Sequence, residues 1–173
     1  MKLPVLMLSA LVCGGACLPL ADAEAGLVIT TRSGIECVKL GDTTPDILYN
    51  GTGAYNDGGN TVNYACPLNG HFLNLNGPFY FDTAYWWAVV DDGSSAANIT
   101  CYVSTCTEGG VCTSSTTRSS SGVGNAQYLS SVGEPIPFAI ANYTNALMLR
   151  CSVPAKVGGA RSGIRKYTLY AFD

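Results

Sequence analysis

In three stretches of this chain, polar and apolar residues alternate strictly, and each time a cysteine stands on the apolar side. Ile99, Cys101 and Val103 fall on one side of the alternation, with Asn98, Thr100, Tyr102 and Ser104 on the other. Leu147, Leu149, Cys151 and Val153 repeat the pattern, and Val62, Tyr64 and Cys66 do so over a shorter run. Residues two apart share a face only in an extended strand. Such segments are half-buried strands whose cysteines face a core. The body of the chain shows no run with a helical period.

Further strands are expected at residues 35–40, 46–50, 71–75, 85–91, 126–131, 136–140 and 164–172. Their punctuation is dense: Asn56-Asp57-Gly58-Gly59-Asn60, Asn69-Gly70, Asn76-Gly77-Pro78, Asp91-Asp92-Gly93 and Gly158-Gly159. These residues tolerate the backbone angles that tight turns require. Pro135 and Pro137 cannot donate to a ladder, so Ile136 is assigned to an edge strand. The polar run 113–121 reads as one limb of a hairpin. About ten short strands at this spacing define an all-β fold, an antiparallel β-sandwich of jelly-roll-like or Ig-like form.

The chain has eight cysteines. Cys13 and Cys17 lie in an apolar stretch that follows Met1-Lys2 and ends at Ala21-Asp22-Ala23, the pattern of a secretory signal peptide over residues 1–23. Gly14-Gly15 and Pro19 interrupt it too often for a retained membrane span. Gly15-Ala16-Cys17 offers a secondary possibility, lipid anchoring through Cys17. Residues 24–173 then form a single domain, secreted or periplasmic, with six cysteines available for disulfides. Cys106 and Cys112 bracket a turn sequence and are paired locally. Cys101 and Cys151 match in their inward faces, which leaves Cys37 with Cys66. Closing the long Cys101–Cys151 loop should stabilise by about 3–4 kcal/mol.

Charged residues make up 12% of the chain and the net charge is −3. Nucleic acid is excluded as a partner, because its phosphates need a basic patch. Arg161, Arg165 and Lys166 are too few for one and are read as a solvated strand face. His71 is the only histidine, so any Ser-His-Asp arrangement must use it, yet no elbow motif presents a serine. Asp82, Asp91, Asp92, Glu108 and Glu134 are the acids available for glycoside hydrolysis. Asp91-Asp92-Gly93 reads as a hairpin turn and is a weak calcium candidate. The cysteines lack metal-site spacing. No cofactor is implied. Sequons occur at Asn50, Asn98 and Asn142, about as often as chance predicts.

Aromatic side chains offer more. Phe79, Tyr80, Phe81, Tyr85, Trp86 and Trp87 place six of seventeen aromatics within nine residues. On a strand Trp86 and Trp87 face opposite sides, so one joins the core and the other faces solvent, a covering loop or a partner. An exposed, rigid indole is a stacking platform for a sugar ring, and Trp86, Trp87, Tyr85 and Tyr80 are the candidates.

Several short landmarks run through the body in order: Glu36-Cys37, Ala65-Cys66-Pro67-Leu68, Ala88-Val89-Val90-Asp91, Ile99-Thr100-Cys101, Leu149-Arg150-Cys151-Ser152-Val153-Pro154 and Ile164-Arg165-Lys166-Tyr167. In these the chain resembles a group of uncharacterised exported proteins of Gram-negative bacteria that have no known activity. The resemblance implies four shared cysteines, to which Cys106 and Cys112 are added here. It also implies a sandwich fold and a non-catalytic role.

These readings converge on an exported, non-enzymatic structural or binding module. Its partners would be glycans or another surface protein. A carbohydrate-binding module is the first alternative. The second is an adhesin or filament subunit that accepts a neighbouring strand at the Ile136 edge.

Overall fold

The computed structural model describes residues 27–41, 46–68, 83–106, 112–134, 136 and 146–172. Among them, two six-stranded antiparallel sheets form. With strands numbered in chain order, the first sheet holds β1 (Leu27–Ser33), β3 (Ile47–Asn50), β4 (Gly53–Asn56), β6 (Thr83–Asp92), β10 (Gly124–Ser130) and β12 (Ser162–Phe172). The second holds β2 (Val38–Leu40), β5 (Val62–Pro67), β7 (Thr100–Cys106), β8 (Cys112–Ser114), β9 (Arg118–Ser119) and β11 (Ala146–Val153). The first runs in the order β10-β6-β12-β4-β3 with β1 also on β12, and the second β2-β5-β11-β7-β8 with β9 also on β7.

The alternation seen in the sequence builds the core. Tyr64, Val103, Leu149 and Val153 of the second sheet pack with Trp86, Val90, Ile164, Tyr167 and Leu169 of the first. Burial removes water from around the Tyr64 and Tyr167 phenols and pushes both pKa values up. The Tyr167 hydroxyl donates to the Pro67 carbonyl at 3.1 Å and so links the sheets.

Disulfides join Cys37 to Cys66, Cys101 to Cys151 and Cys106 to Cys112. Cys101 and Cys151 are direct partners in the β7–β11 register, as Cys106 and Cys112 are in β7–β8. Val38 lies opposite Ala65, which sets Cys37 beside Cys66. All three bridges therefore lace neighbours within the second sheet and none staples one sheet to the other.

Three expectations need correction. The chain does not run extended from residue 35: Gly34–Glu36 is a 3₁₀ turn and β2 begins at Val38. Ser33 Oγ accepts the Ile35 N–H and the Gly34 carbonyl accepts the Cys37 N–H at 3.0 Å, and residue 34 must be glycine, since a side-chain carbon there would lie 1.8 Å from the Ile164 carbonyl oxygen. Asp91-Asp92-Gly93 is not a hairpin turn, because β6 ends there and the chain crosses to β7 in the other sheet. Ile136 is not an open edge: it is 3% exposed and its N–H donates to the Ala84 carbonyl at 2.8 Å. β1 is an addition, a seven-residue strand in which polar and apolar residues do not alternate. The polar run after Cys112 folds back on β7 as β8 and β9. Between them Ser115 replaces the ladder, donating its N–H to the Val103 carbonyl at 2.8 Å while its Oγ accepts the Val103 N–H at 2.9 Å.

The long strand β12 organises the first sheet. Its residues 166–172 pair with β1 and its residues 162–164 pair with β4. Arg165, at the seam, is the extra residue of a β-bulge against β6, between the Ile164–Val90 and Lys166–Val89 pairs. Gly34 and Gly53 both press on this seam; a side-chain carbon on Gly53 would meet the Ile164 carbonyl oxygen at 2.1 Å. A bulge shifts the inside–outside phase by one. Ile164 faces the core, and after the bulge Tyr167 and Leu169 do so while Lys166, Thr168 and Tyr170 face out.

Candidate functional site

The outward face of the first sheet carries the aromatic surface. Along β6, Ala84, Trp86, Ala88 and Val90 point into the core, so Tyr85, Trp87, Val89 and Asp91 point out. Pairing sets Trp87 between Ser130 of β10 and Thr168 of β12, Val89 between Tyr128 and Lys166, and Tyr85 beside Tyr170. Side chains at such opposed positions lie close enough to touch.

Trp87 is half-buried and forms the centre of the cluster. Its ring centroid lies 6.1 Å from that of Tyr128 and 6.4 Å from that of Tyr170, with the planes inclined at 46° and 34°. These are within the separations at which aromatic pairs attract. The Lys166 ammonium stands 5.2 Å from the Trp87 ring centre, a cation–π contact. Tyr128 is 72% exposed, so the cluster opens to solvent. Beneath it the Thr31 and Thr168 hydroxyls share a hydrogen bond of 2.8 Å. The result is an apolar floor with phenol hydroxyls and one ammonium at its margin.

Two bulges create this arrangement. Without Arg165 as an extra residue, Lys166 would point inward and Tyr167 outward. On β10 the register shifts between Gly124 and Gln127, with Ala126 at φ 52°. That left-handed backbone is unfavourable for alanine. The Asp91 carboxylate offsets it by accepting the Ala126 N–H at 2.7 Å. Asp91 also accepts from the Tyr55 hydroxyl at 2.7 Å and pairs with Arg165 at 3.6 Å. Burial, and to a lesser degree this bond to Asp91, raises the Tyr55 pKa. One carboxylate thus fastens both bulges that flank the platform.

Of the sugar-stacking candidates, Trp87 and Tyr85 lie on this face. Trp86 does not: it is 1% exposed, its backbone N–H donates to Ser131 Oγ at 2.9 Å, and its ring belongs to the core. Tyr80 lies outside the described residues, as do His71, Asp82, Glu108 and Asn142. Tyr128, Tyr170 and Lys166 were missed by sequence reasoning because they are brought in from distant strands. The alternation of Lys166, Thr168 and Tyr170 against Tyr167 and Leu169 was the signal available.

The calcium candidates are surrounded by donors. Asp92 is 1% exposed and accepts from the Ser94 and Ile99 amides at 3.0 and 3.2 Å, from Ser162 Oγ at 3.2 Å, and from Ser120 Oγ. Asp91 faces the opposite way with the partners above. Both carboxylates are occupied by N–H and O–H donors, and among the described residues no three acidic, cysteine or histidine side chains cluster. For hydrolysis, Asp91 and Asp92 are committed and oppositely directed. Glu134 pairs with Arg118 at 3.1 Å. A hydrogen bond from Thr116, then the Arg118 guanidinium, holds the Glu134 carboxyl below its ordinary value.

Of the three C-terminal cations, Arg161 and Lys166 are exposed and Arg165 is half-buried, and each has a partner of its own. Arg161 reaches Asp57, Arg165 reaches Asp91, and Lys166 covers Trp87. A polar cleft of about 200 Å³ between Lys39, Asp46 and Asn60 has no aromatic lining. Among the described residues no helix is long and apolar enough to cross a membrane.

No protein-family model matches the chain, and no curated protein does. Among solved structures it is similar to the xylan-binding module CBM15, with a TM-score of 0.54 and 12% identity over 84% of this chain and 97% of that one. At that identity the likeness is one of fold, a β-sandwich in both.

Proposed function

We propose that this protein is a non-catalytic carbohydrate-binding module, exported behind the leader over residues 1–23 and working in an oxidising compartment outside the cytoplasm. The platform of Trp87, Tyr128 and Tyr170 carries this reading. A pyranose ring is itself two-faced, with C–H groups on its flat sides and hydroxyls around its rim. It matches an apolar floor bordered by phenol hydroxyls and an ammonium. The likeness to a xylan-binding module supports it at the level of fold, which places polysaccharide among the first ligands to try. The disulfides support the compartment, since such bonds persist where conditions are oxidising. The committed states of Asp91, Asp92 and Glu134 support a role without hydrolysis.

The test is native affinity electrophoresis through gels containing xylan, β-glucan or polyuronate. Wild type should be retarded by at least one polymer without releasing reducing sugar. Trp87→Ala should abolish the retardation and keep the wild-type near-ultraviolet circular dichroism. Equal retardation of wild type and Trp87→Ala, or no retardation by any polymer, would sink the proposal.

A further inference from the structure

Resting on the carbohydrate reading, we infer that the platform prefers acidic saccharides, with Lys166 as the partner of a uronate carboxylate beside the ring stacked on Trp87. The charges of the molecule point there. Arg32, Lys39, Arg118, Lys156, Arg161 and Arg165 each sit on a carboxylate. Arg150, on β11 of the other sheet, and Lys166 have no carboxylate within ion-pair distance among the described residues, and on the platform it is Lys166 whose ammonium rests on an indole face. It is exposed, and its orientation depends on the Arg165 bulge. Asp91, the acidic side chain on the same face, is engaged by Arg165, Tyr55 and the Ala126 amide and does not compete.

The chemistry of a uronic acid fits this placement. Its carboxylate replaces the exocyclic hydroxymethyl group at C5 and projects outward from the rim of the ring. When the flat side of the pyranose covers the indole, Lys166 must leave the ring centre. A carboxylate at the rim then gives the displaced ammonium an ionic contact in place of the cation–π one. A neutral hexose offers only a hydroxyl at that position, and xylose offers nothing. The protein as a whole carries −3, so long-range attraction does not draw anionic polymers in. The preference is therefore local, modest and weakened by salt.

The experiment compares polygalacturonate and glucuronoxylan with the same polymers after their carboxyl groups have been reduced to alcohols. Wild type should bind the native forms about 3- to 5-fold more tightly at low salt, a range set by one partly exposed ion pair. That ratio should fall towards one in high salt and in Lys166→Met, which keeps the aliphatic stem. Equal binding of native and reduced polymers, still lost in Trp87→Ala, would overturn the acidic preference and leave the carbohydrate reading standing. A ratio unchanged in Lys166→Met would overturn the role of Lys166. Absence of binding to every polymer would overturn both readings.

Discussion

Asp57 shows how much one half-buried residue can fasten. Its Oδ1 receives Lys156 Nζ at 2.8 Å and Arg161 Nε at 2.7 Å, so the loop after β4 is tied to the one joining β11 and β12. The hydrogen bonds from Arg161 and then Lys156 lower its pKa from 3.8 to about 2. A lowered folded value means that the contribution is full above the unfolded pKa and disappears as pH falls through the folded one. Between about pH 4 and pH 2 the wild type should therefore lose more stability than Asp57→Asn, measured as urea midpoints across that window. Equal pH dependence would show that the contacts are incidental. Gly53 works by absence. Its α-carbon leaves room for the Ile164 carbonyl, and a methyl group 2.1 Å away would force backbone apart. Gly53→Ala should destabilise by about 1–3 kcal/mol and, by moving the bulge at Arg165, shift the Lys166 resonances. A variant as stable as wild type would refute the seam at β12.

At the scale of elements, the second sheet is cross-linked and the first is held by packing and hydrogen bonds. The bridges close loops of different lengths, with separations of 50, 29 and 6 residues. In the chain-entropy account, replacing Cys101 and Cys151 by serine should cost about 4 kcal/mol, and replacing Cys106 and Cys112 about 2. Urea unfolding of the two double variants checks the order, and a larger loss from the short loop would contradict it. The faces of Cys101, Cys151 and Cys66 were legible because each stands in a strict alternation, which fixes direction without knowledge of partners. The seam of β12 was not. A bulge is a disagreement between two strands far apart in sequence, and Ile164-Arg165-Lys166 contains nothing that marks Arg165 as extra. The need for glycine at residue 34 was hidden for the same reason, since the carbonyl it makes room for lies 130 positions away.

For the whole molecule, the sandwich class followed from periodicity and turn residues, whereas the platform could be read only in part. Trp86 and Trp87 had to face opposite ways, but the sequence around them did not say which was buried. Phe79, Tyr80 and Phe81, which made the aromatic run conspicuous, lie outside the described residues. The neighbours of Trp87 come instead from β10 and β12, 41 and 83 positions onward. Sheet pairing, a long-range property, assembled a site that local composition only hinted at. With two tryptophans in the chain, one on each side of the same strand, the central claim has a direct readout. Nuclear magnetic resonance of the two indole N–H groups, during titration with an oligosaccharide of a polymer that retards the protein, reports on both at once. The account predicts that the Trp87 indole resonance moves in a saturable way while that of Trp86 stays in place. Movement of Trp86 alone, or of neither under conditions where the saccharide binds, would contradict it.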